Sequence, residues 1–296
     1  RSEQLASIVE VEHQNPLTIT SGGFDQDFEK WLSGQVFHEG ERLKNLMKKL
    51  WSGITWKKNY RVLVLTPTSL LWSLKPLKEV TEGGVILAAS EDHHPRLEAE
   101  LEVVNPIERP VLIDSKLESI KRLEANLKFE VIGGRITWKT FSESNFFELW
   151  PILTNRCTAN AELSLIISNP CHGPALSLKE NLEKNNENTD FSLLDKIITK
   201  EEKWLNNQVK KKNFVIQLEK LGWDVTFEEW NEFVYLSVDS STIQRWVSQG
   251  SDYRKIILGN YKEETLIRLR RLFERLDGKT IKQKLLHTKL LAKLNY

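Results

Sequence analysis

The turn Thr66-Pro67-Thr68-Ser69 joins an apolar run, Arg61–Leu65, to an apolar helical start, Leu70–Leu77. Nucleotide-binding folds use that strand-to-helix turn to hold a ligand against backbone N–H groups, and they place glycine there because a side chain would block the approach. This turn has no glycine, and Pro67 both removes a donor and fixes its own φ. A second phosphate-binding pattern also fails. Gly278-Lys279-Thr280 ends like a phosphate loop, but Phe273 stands where the first glycine of Gly-x-x-x-x-Gly-Lys-Ser/Thr belongs and no acidic strand follows. ATP hydrolysis by this chain alone is not expected.

Other reactive side chains are sparse. His93 and His94 adjoin Glu91 and Asp92, but adjacent histidines point apart and no further ligand is spaced for coordination, so a solvated loop is expected and no metal. His172 directly follows Cys171, too close for a Cys–His pair, and no Gly-x-Ser-x-Gly elbow occurs. No catalytic residue is assigned. The basic residues Arg268, Arg270, Arg271, Arg275, Lys279 and Lys282 could follow a phosphate backbone with salt-dependent affinity, the alternative being a solvated helix face. Trp204 and Trp246, with polar neighbours, are candidates for a contact surface, whereas Trp31, Trp51 and Trp223 are expected in the core.

The charge distribution sharpens the basic segment. The 296 residues carry a formal net charge of +1, yet Ser251–Tyr296 holds 12 Lys and Arg against 5 Asp and Glu, leaving −6 for the rest. Cys157 and Cys171 suggest neither a disulfide framework nor a zinc cage, which fits a cytoplasmic setting. No stretch approaches the roughly 20 apolar residues of a membrane span, and no membrane association is expected. A chain that opens at Arg1 reads as a processed chain or a piece of something longer.

Elements that would position these residues follow from periodicity. Leu43, Leu46, Met47, Leu50 and Trp51 recur at helical spacing up to Gly53, and Phe28, Trp31 and Leu32 suggest a short helix before them. Arg61–Leu65, Gly84–Ala89, Pro110–Ile113, Phe129–Ile132 and Leu163–Ile167 are short Val/Ile/Leu runs, as doubly covered strands should be. Helical segments alternate with them, which predicts a parallel sheet with right-handed crossovers. Residues 180–190 predict an exposed loop, Phe214–Leu221 a helix closed by Gly222, and 223–238 an antiparallel hairpin turning at Glu229–Glu232. The tail from Ser241 predicts helix, with Leu266, Leu269, Leu272, Phe273 and Leu276 as its apolar stripe. The organisation expected is a helical lead-in at 1–60, an α/β domain at 61–240 and a basic helical tail at 241–296.

A parallel sheet ending in a hairpin introduced by "LEKLGW" resembles the Rossmann-like class I S-adenosylmethionine-dependent methyltransferase fold, an α/β class. More specifically, "WKKNYRVLVL", "EGGVILAAS", "RPVLIDS", "FEVIGGR", "NPCHGPALS", "TKEEKWLNN", "STIQRWVS" and "SDYRKIIL" are similar, in order, to the methyltransferase-like C-terminal extension of the cyanobacterial replication-associated recombination protein A family of AAA+ ATPases. The resemblance implies a role in DNA recombination, repair or replication beside an AAA+ ATPase region, in the same polypeptide or complex, with DNA or replication proteins as partners. It also implies where a cofactor would sit: on the first crossover turn, here Thr66 and Ser69, on an acid after the second strand, here Glu91, and on one after the third, Asp114. Glu91 and Asp92 fall one or two places late, and Asp114 equally suits a helix cap. "SNPC", Ser168–Cys171, is similar to an amine-gripping signature but follows the fifth strand instead of the fourth and is expected to be a turn. After the fourth strand comes Gly133-Gly134-Arg135, which admits a ligand or makes a tight turn. The expectation is a module without bound cofactor and without catalysis, the alternative being a methyltransferase whose S-adenosylmethionine rests on Thr66, Ser69, Glu91 and Asp114.

Overall fold

The computed structural model describes residues 38–295 apart from 103, 105, 125, 137–142, 186–190, 208–210, 249, 252 and 260; the short helix expected around Phe28–Leu32 lies outside them. Helix α1, His38–Trp51, buries Leu46, Leu50 and Trp51 as its periodicity requires. Strand β1, Arg61–Leu65, is followed by a 3-10 turn, Leu70–Ser73, and α2, Leu74–Glu79. Then come β2, Gly84–Ala89, and α3, His94–Leu101. Next are β3, Val111–Asp114, and α4, Leu117–Lys121. Strand β4, Phe129–Ile136, helix α5, Glu143–Asn155, and strand β5, Cys157–Pro170, continue the alternation.

Each pairing among β1 to β5 is parallel: β1 with β2 and β4, β2 with β3, and β4 with β5. The alternation in sequence therefore gives the expected crossovers. The remaining elements are α6, Pro174–Lys184; α7, Ser192–Asn207; α8, Lys211–Lys220; β6, Trp223–Ser237; α9, Ser240–Val247; α10, Glu263–Glu274; and β7, Thr280–Leu294. The seven-stranded order is β3-β2-β1-β4-β5-β7-β6. Backbone bonds from Asn295 to Gly222 and from Val238 to Lys279 make β7 antiparallel to β6.

Three expectations need correction. The segment 223–238 is one long strand, not a hairpin, because its backbone is held by the β7 side at both ends, through Asn295 to Gly222 and Val238 to Lys279, with no turn at Glu229–Glu232. The tail is helical only through α10; Thr280–Leu294 is strand, since its apolar positions are buried within a sheet. The loop expected at 180–190 begins later, as α6 extends to Lys184. Gly222 does take the left-handed conformation expected after α8, with φ +89°.

The chain forms two compact units that cut across the expected boundaries at 60 and 240. The first comprises residues through Ile167, with Lys212–Glu228 and the chain from Thr288 on; the second comprises Ser168–Lys211 and Glu229–His287. The first unit's core includes Leu63, Leu65, Ile132, Trp150, Leu163 and Trp223, and the second's includes Leu178, Ile197, Val238, Leu269 and Phe273. Trp204 and Trp246 pack against the second core, and Trp246 lies 5.8 Å from the Phe273 ring. Neither stands out as a free contact surface. No described helix is long and apolar enough to cross a membrane.

Candidate cofactor site

The turn after β1 is built as a glycine loop would be, without the glycine. Thr66 has φ +47°, a conformation rare for a β-branched residue and worth about 1–3 kcal/mol of strain. Two contacts hold it there. Its N–H donates to the Ala88 carbonyl at 2.7 Å, and its hydroxyl donates to the Arg135 carbonyl at 3.2 Å. Pro67 and Ser69 are buried, and the Ser69 hydroxyl has no hydrogen-bond partner among the described residues.

The next donor is already taken. Leu70 N–H donates at 2.6 Å to Oε2 of Glu100, a wholly buried carboxylate of α3 whose Oε1 accepts from Arg96 Nε at 2.9 Å. A helix start that could face an anion therefore faces the chain's own anion. Trp72, 2% exposed, sits just behind; its N–H donates to Thr68 Oγ1 at 3.3 Å and the Arg135 guanidinium lies 5.1 Å from its ring centre.

The two acids are close to one another but both are engaged. Asp114 ends β3 in register with Ala89, the last residue of β2, and Glu91 opens the 3-10 turn that follows β2. Lys116 joins them, its Nζ 3.1 Å from Asp114 Oδ2 and hydrogen-bonded to Glu91 Oε1. Asp114 Oδ1 also accepts from the Lys116 N–H at 3.1 Å, which steadies the entry to α4 as a helix cap would. Burial pushes the Asp114 carboxyl up, but the hydrogen bonds and charge of Lys116 outweigh it and hold the group below the usual range. Lys116 is raised in turn, by Glu91 first and Asp114 second.

The tandem glycines lie inside β4 and make no turn. A Cβ at Gly133 would come within 2.4 Å of the Trp51 indole, and one at Gly134 within 2.3 Å of the Leu65 carbonyl oxygen. They admit a protein ring and a neighbouring backbone. Ser168, Asn169 and Pro170 likewise belong to the end of β5, with a bend only at Cys171–His172. Among the described residues no group of three His, Cys, Asp or Glu side chains could hold a metal ion.

With β7 inserted antiparallel between β5 and β6, the strand order decides the fold. The chain has the class I methyltransferase fold. Among solved structures it is similar to the YcgJ protein of Bacillus subtilis, at 12% identity and a TM-score of 0.51, over 86% of this chain and 99% of that one. A candidate methyltransferase of Bacillus halodurans matches at 14% identity and a TM-score of 0.49, over 86% of this chain and all of the other. Haemonchus contortus phosphoethanolamine N-methyltransferase 2, solved with phosphomonomethylethanolamine and S-adenosylhomocysteine, matches at 12% identity and 0.45, over 91% of this chain and 56% of its own. No protein-family model and no curated protein matches the sequence.

In this fold a cofactor rests at the C-terminal ends of β1 to β3, where Thr66, Ser69, Glu91 and Asp114 all lie. Sequence reasoning missed Glu100 and Lys116. An Arg96–Glu100 spacing of four residues signalled the first, and an Asp-x-Lys exit from β3 the second. It also missed a hydrogen-bonded row in the second unit, in which Ser168 Oγ lies 2.8 Å from His287 Nδ1 and His287 Nε2 lies 2.8 Å from Glu232 Oε2, with Trp230 stacked on the imidazole at 5.2 Å. His287 is wholly buried, so the row bridges strands without presenting a nucleophile to solvent.

The basic residues divide. Arg268, Arg270, Arg271 and Arg275 are exposed on or just beyond α10, opposite buried Leu269 and Phe273. Arg270 pairs with Glu274 at 3.1 Å. Lys279 donates to Asn181 Oδ1 at 2.8 Å, and Lys282 on β7 lies 3.9 Å from the Phe233 ring centre. The structure therefore gives an arginine face on one helix and, apart from it, two lysines with local partners.

Proposed function

We propose that this chain is a methyltransferase-like module that does not transfer methyl groups and serves as a DNA-docking part of a recombination ATPase assembly. The observation that carries the first half is the Leu70 N–H held by buried Glu100. S-adenosylmethionine would have to settle on a turn whose Pro67 and Ser69 are buried and whose following donor is spent internally. It would also have to compete with Lys116 for both acids. Arg268, Arg271 and Arg275 support the second half, since i, i+3, i+7 spacing aligns them on one exposed helix face. The ATPase setting rests on the resemblance of the sequence segments.

Methyl transfer, with the cofactor on Thr66, Ser69, Glu91 and Asp114, is the second reading. It is favoured by the two acids standing at the ends of adjacent strands. Titration calorimetry with S-adenosylhomocysteine decides between them. No heat of binding is expected, and micromolar affinity would establish a working cofactor site. Docking is tested separately, by gel shift with duplex DNA at low salt. Replacing Arg268 and Arg271 by Ala should weaken binding and reduce the salt slope by about 0.9 per lost phosphate contact. An unshifted duplex with the unaltered protein ends the docking proposal.

A further inference from the structure

The first unit also contains a cavity of about 460 Å³, formed by the end of α1, the loop to β1, and α2. That volume lies within the roughly 300–1,000 Å³ of small-molecule sites. Trp51, Ile54 and Leu74 are its buried apolar lining. Trp56, half exposed, stands edge-on to Trp51 with centroids 5.6 Å apart and planes at 62°. The Trp51 N–H is given to the Trp72 carbonyl at 2.9 Å, which fixes that ring. The Trp56 N–H has no partner among the described residues. The pinned, buried Trp51 backs the partly exposed indole of Trp56, which offers a surface for a flat ring.

The polar part of the lining is cationic. Lys48, Lys75 and Lys78 contribute to it, and no acid does. Lys75 pairs with Glu79 at 2.5 Å, whereas Lys48 has no ion-pair partner among the described residues. Lys48 and Lys49 both lie in the last turn of α1, where the helix dipole favours a cation. The carbonyl of Ser52, just past the end of α1, already accepts from buried Lys289 at 2.7 Å, and Lys49 pairs with Glu228 at 2.9 Å. Trp56 precedes the start of β1 and Lys78 the start of β2, whereas Leu74 and Lys75 open α2, so the cavity lies along α1 and α2. None of Thr66, Ser69, Glu91 and Asp114, at the strand ends where a cofactor of this fold rests, lines it.

We propose that this cavity binds a nucleotide, its planar base against the Trp56 indole and its phosphate on Lys48 and Lys78. Two sources share that chemistry, a free mononucleotide and a base of single-stranded nucleic acid. Fluorescence anisotropy with a labelled thymidylate oligomer of about 10 nucleotides, competed by AMP, separates them. Displacement by AMP points to the mononucleotide, and binding of the oligomer that AMP does not displace points to the strand. In either case Trp56→Ala should weaken binding about tenfold or more, with Trp56→Phe retaining most of it. Lys48→Ala with Lys78→Ala should lower the salt slope for the oligomer by about 0.7 per lysine, and the Arg pair should restore it. Arg268→Ala with Arg271→Ala should leave AMP binding unchanged, which keeps this site distinguishable from duplex docking on α10. If neither probe binds at about 50 mM salt, or if the Trp56 and lysine variants, with circular dichroism like the unaltered protein, bind as it does, the proposal is overturned.

Discussion

Each unit places a buried glutamate at the start of a helical segment, and the two are treated differently. In the first, Glu100 receives the Leu70 N–H and is neutralised by Arg96 one turn earlier on α3. In the second, Glu201 of α7 receives the Ala175 N–H at 2.9 Å, at the first turn of α6, and the Tyr253 hydroxyl at 2.5 Å. Its Oε2 has no partner among the described residues, and neighbouring Arg254 lies 3.5 Å from Glu263 instead. Burial pushes Glu201 up from 4.5 to about 7, against the lowering effect of Tyr253 and the backbone N–H groups of Ala175 and Leu176, with Glu202 adding to the rise. The difference teaches that hydrogen bonds from a helix start do not by themselves offset burial of a carboxyl, since Glu201 is raised in spite of them. A cation within reach stabilises the charge directly.

The comparison can be broken most forcefully at Glu100. Glu100→Ala leaves the Leu70 N–H and Arg96 without their partner and should cost about 3–5 kcal/mol in urea denaturation; a loss below about 1 kcal/mol would mean that the contact is incidental. Next is pH. Because the folded value of Glu201 is raised, the unfolded chain releases its proton first, so stability should fall as pH rises from 4.5 to about 7, by about 3 kcal/mol in all, and stay lower above that. Glu201→Gln should lack that decline, so the difference between the two proteins' stabilities should change by about 3 kcal/mol across that range, and parallel stability curves would show an ordinary carboxyl.

A smaller effect is expected at Gly173, where a Cβ would lie 2.1 Å from the Glu201 carboxyl carbon. Gly173→Ala should displace the carboxyl and cost about 1–3 kcal/mol, measured by the same denaturation. The smallest lies at the surface. Lys116→Ala should leave the urea midpoint in place while the Asp114 carboxyl, followed by NMR titration, moves to higher pH, because burial then acts without the opposing lysine. An unchanged Asp114 titration would remove Lys116 from the account of the site.

Much of the parallel half was legible because doubly buried strands write themselves as short Val, Ile and Leu runs, and Arg61–Leu65 and Gly84–Ala89 are strands over those same residues. The last two strands were not. Trp223–Ser237 and Thr280–Leu294 alternate like hairpin arms or amphipathic helix, and only their mutual pairing removes the ambiguity. At the site, the missing glycine and the acids Glu91 and Asp114 stood in the sequence, whereas their capture by Lys116 did not. Burial of Glu100 was equally hidden, since a glutamate four residues after an arginine normally lies on a solvated face.

By itself, the sequence determined the succession of strands and helices, the absence of glycine from the first crossover turn and the concentration of basic residues toward the end of the chain. Those are properties of residue type and spacing along one dimension. Only the tertiary structure decided that Thr66 takes a glycine-like backbone, that Glu100 consumes the donor after it, and that the basic tail divides between a helix and a sheet strand. Each depends on contacts between residues distant in the chain, and the energy of burying a charge is set by what surrounds it in space.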